Sequence, residues 1–175
     1  MVAILVWAYT AAVFSSSLAP ESLFAQAGVG DQHTEALVVG GVWDGPWLKQ
    51  LRWAAISGYF EMDVGRWSTR TAGSTTAAWP TQLGVTPVLR FAHTPDPGWF
   101  CELGVGANYI VPLFRSGKKR FSTEFNFGDH VGIGRRLGSA HRLELALRAE
   151  HFSNAGISHP NPGENFLQIR LSVHR

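Results

Sequence analysis

The chain has 175 residues, is 45% hydrophobic but only 16% charged, and carries a net charge of +2. That length fits one domain, and basic residues this few and scattered exclude an electrostatic footprint for nucleic acid. The single cysteine, Cys101, allows no disulfide within the chain and no thiolate metal cluster.

The N-terminus reads as an export signal. Met1 to Phe14 is apolar, Ser15 to Ser17 is small and polar, and Ser17-Leu18-Ala19 offers a small-x-small cleavage site before Pro20. Residues 1–19 are therefore expected to be a signal peptide and 20–175 the mature domain. Ala25-Gln26-Ala27 is a second candidate cleavage site. No later stretch approaches the ~18 continuous apolar residues of a membrane helix. A membrane-spanning form of this chain has to be a barrel.

Beyond residue 20 the dominant signal is alternation with period two. Eight strands are expected, at roughly 21–30, 35–44, 54–66, 81–93, 98–111, 120–135, 140–153 and 164–175. In the third, Ile56, Phe60, Met62 and Val64 oppose Ser57, Tyr59, Glu61 and Asp63. In the seventh, Leu143, Leu145, Leu147 and Ala149 oppose Arg142, Glu144, Arg148 and Glu150. In the eighth, Leu167, Ile169, Leu171 and Val173 oppose Gln168, Arg170 and Ser172. Short connections (Thr94 to Pro97, Arg136 to Ala140) alternate with longer ones (Trp67 to Trp79, Pro112 to Lys119, Asn154 to Gly163). An even strand number with such loops fits an all-β, eight-stranded antiparallel up-and-down barrel of the outer-membrane kind.

The polar face carries Glu61, Asp63, Arg90, Glu102, Glu124, Arg142, Glu144, Arg148, Glu150 and Arg170, mixed with glycine. Charges of both signs can fill a narrow interior as paired networks. The other face is nearly free of charge, so the expectation is apolar outward, against lipid. A soluble ligand-binding barrel would reverse the faces. A structural or adhesion barrel without chemistry would share the pattern.

One segment calls for chemistry. His151 and Ser153 are two apart, so their side chains share the face of Leu143, Leu145 and Leu147. Polar groups facing acyl chains are costly and ask for a reason. An imidazole can take the proton of a serine hydroxyl, which is otherwise a weak nucleophile. Donors for a tetrahedral oxyanion are at hand in Asn154, Asn161 and the backbone N–H of Gly156. The same Asn-Ala-Gly and Pro-Asn-Pro-Gly runs are also ordinary turn formers. Arg115, Lys118, Lys119 and Arg120 lie in or beside an outer loop, as a solvated basic patch or as contacts to phosphates. His33, His93, His141, His159 and His174 show no metal-ligand spacing, so no metal is expected.

The segment His151-Phe152-Ser153-Asn154-Ala155-Gly156, the continuation Pro160-Asn161-Pro162-Gly163 and the run Phe125-Asn126-Phe127-Gly128-Asp129-His130 resemble the PagL family of lipid A deacylases. The resemblance implies an eight-stranded barrel in the bacterial outer membrane with a Ser-His-Glu triad on its lipid-facing exterior. It implies hydrolysis of the acyl ester at the 3 position of lipid A in lipopolysaccharide, with no metal or cofactor. His151 would be the general base and Ser153 the nucleophile. Membrane lipid and lipopolysaccharide are the expected partners, and a homodimer is the protein assembly the reading admits. The third member stays open. Without a gap, the family's Glu falls on Asn165, which parity puts outward, while Glu164 nominally faces in. Glu164 is preferred because a carboxylate stabilises the imidazolium, and a bulge after Gly163 would be needed to turn it outward. The alternative is Asn165, in an arrangement resembling the Ser-His-Asn of outer-membrane phospholipase A.

Overall fold

The computed structural model describes residues 19–70, 77–94, 98–138 and 140–175. The signal-peptide reading, apart from Ala19, lies outside the described residues, as do parts of the connections at 71–76, 95–97 and 139. Eight long strands follow in order: β1 Ser22–Gly30, β2 Glu35–Gln50, β3 Ala54–Arg70, β4 Thr81–His93, β5 Trp99–Val111, β6 Phe125–Leu137, β7 Leu143–Ser153 and β8 Glu164–His174. Each pairs antiparallel with its sequence neighbours, and β8 pairs with β1, so the sheet closes into a barrel without a free edge.

The faces are those of a barrel bathed in lipid. Along β8, Leu167 is 54% exposed, Ile169 60% and Leu171 47%, while Gln168 and Arg170 between them are 2% exposed. Buried charge is tolerable only when paired, and here it is. Arg148 reaches Glu61 at 2.7 Å and Glu102 at 2.6 Å, Arg170 reaches Glu61 at 2.7 Å, and Arg90 bridges Glu102 at 2.9 Å to Glu144 at 2.8 Å. Two residues assigned to the inner face lie elsewhere. Arg142 is exposed at the turn before β7, and Glu124 lies in the loop before β6, where it accepts a hydrogen bond from Tyr109.

One end of the barrel is stoppered by rings. Trp67 on β3 packs edge-on against Phe152 on β7 at 4.9 Å, Phe166 on β8 at 4.8 Å and Phe114 at 5.3 Å, with Phe121 stacked behind Phe114 at 4.7 Å. Such edge-to-face pairs add about 0.5–1.5 kcal/mol each beyond their burial. The stopper explains a shift in the sixth strand, expected at 120–135 and found at Phe125–Leu137. Arg115–Ser116 pairs instead with Lys119–Arg120 in a small hairpin, and Phe121 N–H bonds Phe114 O at 3.1 Å, folding both phenylalanines inward. For the same reason Trp67, expected to open a loop, sits inside β3 with no exposed surface.

Candidate active site

The stoppered end fixes which side chains point outward. Phe152 is fully buried in the ring cluster, so its neighbours His151 and Ser153 must face out. Phe166 and Glu164 are buried in the same way and leave Asn165 facing out between them. β7 and β8 are in regular register there, with His151 opposite Asn165 and Phe152 opposite Glu164. There is no bulge after Gly163, so the turn that would have carried Glu164 to the exterior does not occur.

The consequence is direct. His151 Nδ1 and Asn165 Oδ1 are 2.7 Å apart. An amide oxygen only accepts, so in this orientation of the Asn165 amide Nδ1 is the donor, and a neutral imidazole then has its lone pair on Nε2. Glu164, the carboxylate preferred from the sequence, does not meet His151. It is inward-facing, with no exposed surface, and is bridged by Lys119 Nζ at 3.0 Å. Asn165 Nδ2 donates to Asp31 Oδ2 at 3.0 Å, and Lys119 Nζ donates to the same oxygen at 2.6 Å. Those Lys119 and Asn165 hydrogen bonds hold the Asp31 carboxyl below its ordinary value. Lys119 also donates to Gly163 O at 2.9 Å, so this member of the basic loop is committed to the site's scaffold. Arg115, Lys118 and Arg120 remain exposed nearby.

Ser153 closes β7 opposite Phe127 of β6. Its Cα lies one two-residue strand repeat, roughly 7 Å, from that of His151. No hydrogen bond joins the two side chains among the described residues, a looseness common before substrate arrives. The ring of His151 is backed by Gly163, where a Cβ would lie 2.6 Å from Cε1 and 3.2 Å from Nε2.

The loop after Ser153 separates the three oxyanion candidates. Asn154 Oδ1 accepts from Gly156 N–H at 3.0 Å, and its Nδ2 donates to Ser122 Oγ at 3.0 Å and Ser158 O at 2.9 Å. Both Asn154 and the Gly156 N–H are thus spent on holding the loop. Asn161 Oδ1 accepts from Asn154 N–H at 3.1 Å, and its own Nδ2 has no partner among the described residues. Of the three, only the Asn161 amide is an uncommitted donor.

Outside the ring stopper, an exterior groove of about 510 Å³ runs from His151 and Asn165 past Asp129 and Val131 to Leu103 and Val105. A second, of about 530 Å³, is lined by Leu37, Leu147, Leu167, Ile169 and Trp79 on the other side of β8. Both are overwhelmingly apolar. Among the described residues, no group of three or more His, Cys, Asp or Glu could hold a metal ion.

Three members of this assembly were not singled out in the sequence: Asp31, the role of Lys119 as a tether, and the close approach of Gly163. An acidic residue directly after the first strand, at the end where the His-x-Ser strand finishes, is the only signal that pointed to Asp31.

Residues 37–174 match the family described as "Lipid A 3-O-deacylase (PagL)". The chain is 31% identical over 125 residues to the lipid A deacylase PagL of Bordetella bronchiseptica, covering 70% of this chain and 66% of that protein. It is 30% identical over 122 residues to the lipid A deacylase PagL of Pseudomonas aeruginosa, covering 69% and 66%. The match thus spans just under two thirds of the length of these relatives. The crystal structure of the outer membrane enzyme PagL superposes with a TM-score of 0.76 at 24% identity, covering 88% of this chain and 99% of that one. The ring-stoppered barrel, its apolar exterior and a sequence match that runs through β7 and β8 agree: the chain belongs to the PagL family and has the fold of a closed eight-stranded antiparallel β-barrel.

Proposed function

We propose that the protein is a lipid A 3-O-deacylase working as a serine esterase, with Ser153 as nucleophile, His151 as general base and Asn165 as the group that orients the base. The observation that carries this reading is the 2.7 Å contact between His151 Nδ1 and Asn165 Oδ1 on the lipid-facing exterior. It leaves Nε2 as the basic nitrogen of a neutral ring, on the same strand face as Ser153 two residues on.

In the proposed reaction, an acyl chain of lipid A lies along the apolar groove beside His151 and its ester carbonyl meets Ser153 Oγ. As Oγ attacks, its proton passes to His151 Nε2. The oxyanion takes a hydrogen bond from Asn161 Nδ2, the uncommitted amide of the loop. Collapse breaks the bond to the sugar oxygen, which leaves as the 3-hydroxyl after receiving the proton from Nε2. Water, deprotonated by the same nitrogen, then attacks the acyl carbon, and the bond to Ser153 Oγ breaks as Oγ takes that proton back from Nε2, releasing the fatty acid. No step requires a metal.

Mass spectrometry of lipid A from cells expressing wild type or Ser153→Ala tests the reading. Loss of one ester-linked hydroxyacyl chain with wild type alone supports it. Identical spectra, with both proteins confirmed in the outer membrane, would leave the runner-up: a structural barrel without chemistry.

A further inference from the structure

We propose that Asp31 is a positioning residue for the reaction: it acts on His151 through Asn165, so that the Asn165–Asp31 pair does the work of a single carboxylate. This rests on the serine-esterase reading and adds to it a residue from a different part of the chain.

A neutral asparagine is a poor third member by itself, for two reasons. Its amide has two orientations of the same shape. With Oδ1 toward the imidazole it fixes the proton on Nδ1 and leaves Nε2 basic. Flipped, with Nδ2 toward the imidazole, it fixes the proton on Nε2, and the base is lost. It also carries no charge to stabilise the imidazolium that forms when the proton leaves Ser153.

Asp31 answers both. An ionised carboxylate only accepts hydrogen bonds. With Asp31 Oδ2 at 3.0 Å from Asn165 Nδ2, the amide must present its N–H to Asp31 and its oxygen to His151. The flipped form would set two acceptors against each other. The same bond polarises the amide, drawing electron density toward Oδ1 as the imidazole becomes positive, in the way hydrogen bonds in a chain strengthen one another. No proton moves beyond Nε2 in this scheme. Asn165 keeps both of its amide protons and Asp31 stays ionised throughout.

Asp31 is held for this. It opens the single 3₁₀ turn Asp31–His33 after β1, whose end is closed by Thr34 N–H to Asp31 O at 3.0 Å. Lys119 Nζ, 2.6 Å away, anchors its carboxylate. That ammonium does not cancel the charge, because it is shared with Glu164 at 3.0 Å: one cation serves two carboxylates. The other carboxylate near the imidazole is Asp129, opposite His151 on β6. It makes no hydrogen bond to His151 among the described residues, so the connected path runs to Asp31.

The test uses the full-length barrel in detergent with lipid A as substrate, and two readouts. The first is kcat and KM for wild type, Asp31→Ala, Asn165→Glu, the double variant Asp31→Ala/Asn165→Glu, and Ser153→Ala. Asp31→Ala is expected to lower kcat by about 10- to 100-fold, as loss of an outer orienting partner does, with KM unchanged. The double variant supplies a carboxylate directly and is expected to recover most of that loss. A kcat unchanged in Asp31→Ala overturns the proposal. So does a loss that Asn165→Glu does not restore, since Asp31 would then serve the loop alone. The second readout is the 15N NMR signature of the His151 ring: one tautomer, protonated at Nδ1, in wild type, and a mixture in Asp31→Ala. The same single tautomer in both overturns the proposal. If wild type and Ser153→Ala turn over alike, it is the esterase reading that fails, and the tautomer measurement still decides the role of Asp31.

Discussion

Gly163 and His151 touch so closely that the imidazole rests on bare backbone. A Cβ on Gly163 would sit 2.6 Å from His151 Cε1, and the φ of +64° at this position is one that side chains resist. Gly163→Ala is therefore expected to push Nε2 out of line with Ser153. A shift of about 1 Å at a reacting group costs on the order of 10²-fold in rate, whereas the left-handed backbone costs roughly 1–2 kcal/mol of stability. Deacylation assays beside thermal melts separate the two. A variant that melts slightly early yet turns over normally would contradict the packing argument.

Asn165 and Glu164 are adjacent in sequence and opposite in consequence. Asn165→Ala should reduce kcat by about 10- to 100-fold, because the imidazole loses the partner that fixes its tautomer. Glu164→Gln should leave kcat within roughly threefold, because its carboxyl faces the barrel interior and meets Lys119 rather than His151. Steady-state kinetics of the two variants decide which is the third member, and the reverse ranking would restore the carboxylate preferred from the sequence.

Asn161 has one job for each end of its amide. Its Oδ1 braces the loop by accepting from Asn154 N–H, and its Nδ2 is the free donor. Asn161→Asp keeps an acceptor and deletes the donor. The expected result is a folded loop with kcat down by about 10²- to 10³-fold, the usual cost of one oxyanion donor. Comparable activity in Asn161→Asp and wild type would move the oxyanion contact elsewhere.

Lys119 ties the 115–120 hairpin to Asp31, Glu164 and Gly163 O. Lys119→Met leaves Glu164 buried without its cation and is expected to cost about 1–3 kcal/mol, less than a fully buried pair because the ammonium is partly exposed. Adding Glu164→Gln should recover part of that loss, and denaturation in detergent reads both. A double variant no more stable than Lys119→Met alone would show that the pair is not coupled.

The Asp31–Lys119 tie also has a pH sign. Asp31 is depressed below its ordinary 3.8 by the Lys119 and Asn165 hydrogen bonds. A depressed carboxyl contributes stability that is fully present above its unfolded value and is lost as the pH falls through the folded one. Hydrogen exchange in the 112–124 loop, corrected for its intrinsic pH dependence, should therefore be steady down to about pH 4 and loosen only below it. Loosening between pH 5 and 7 that is unchanged in Asp31→Asn would assign the hold on this loop to Glu164, the other carboxylate on Lys119.

Period-two alternation made the strands legible, because a side chain in a strand has only two faces to choose from. It also placed His151, Ser153 and Asn165 together on the outer one. It could not supply Asp31, which lies 134 residues from Asn165 in sequence and reaches it only through closure of β1 on β8. Nor could it place the 119–121 segment, where Lys119 read as the end of a loop and Phe121 as strand, but the two turn inward to a carboxylate and to the ring cluster. The preference for Glu164 rested on charge, which strand register does not report; the register of β8 puts the Asn165 amide beside His151 and turns Glu164 inward.

The ring stopper formed by Trp67, Phe114, Phe121, Phe152 and Phe166 bears on where a cleaved fatty acid travels. With that end filled by aromatics and the space beneath by paired ions, the described residues form no apolar conduit through the barrel interior. In the proposed reaction the freed chain departs sideways, straight into the surrounding leaflet. Turnover would then feel the composition and fluidity of the host bilayer, as it would for a catalyst whose product dissolves in its own solvent.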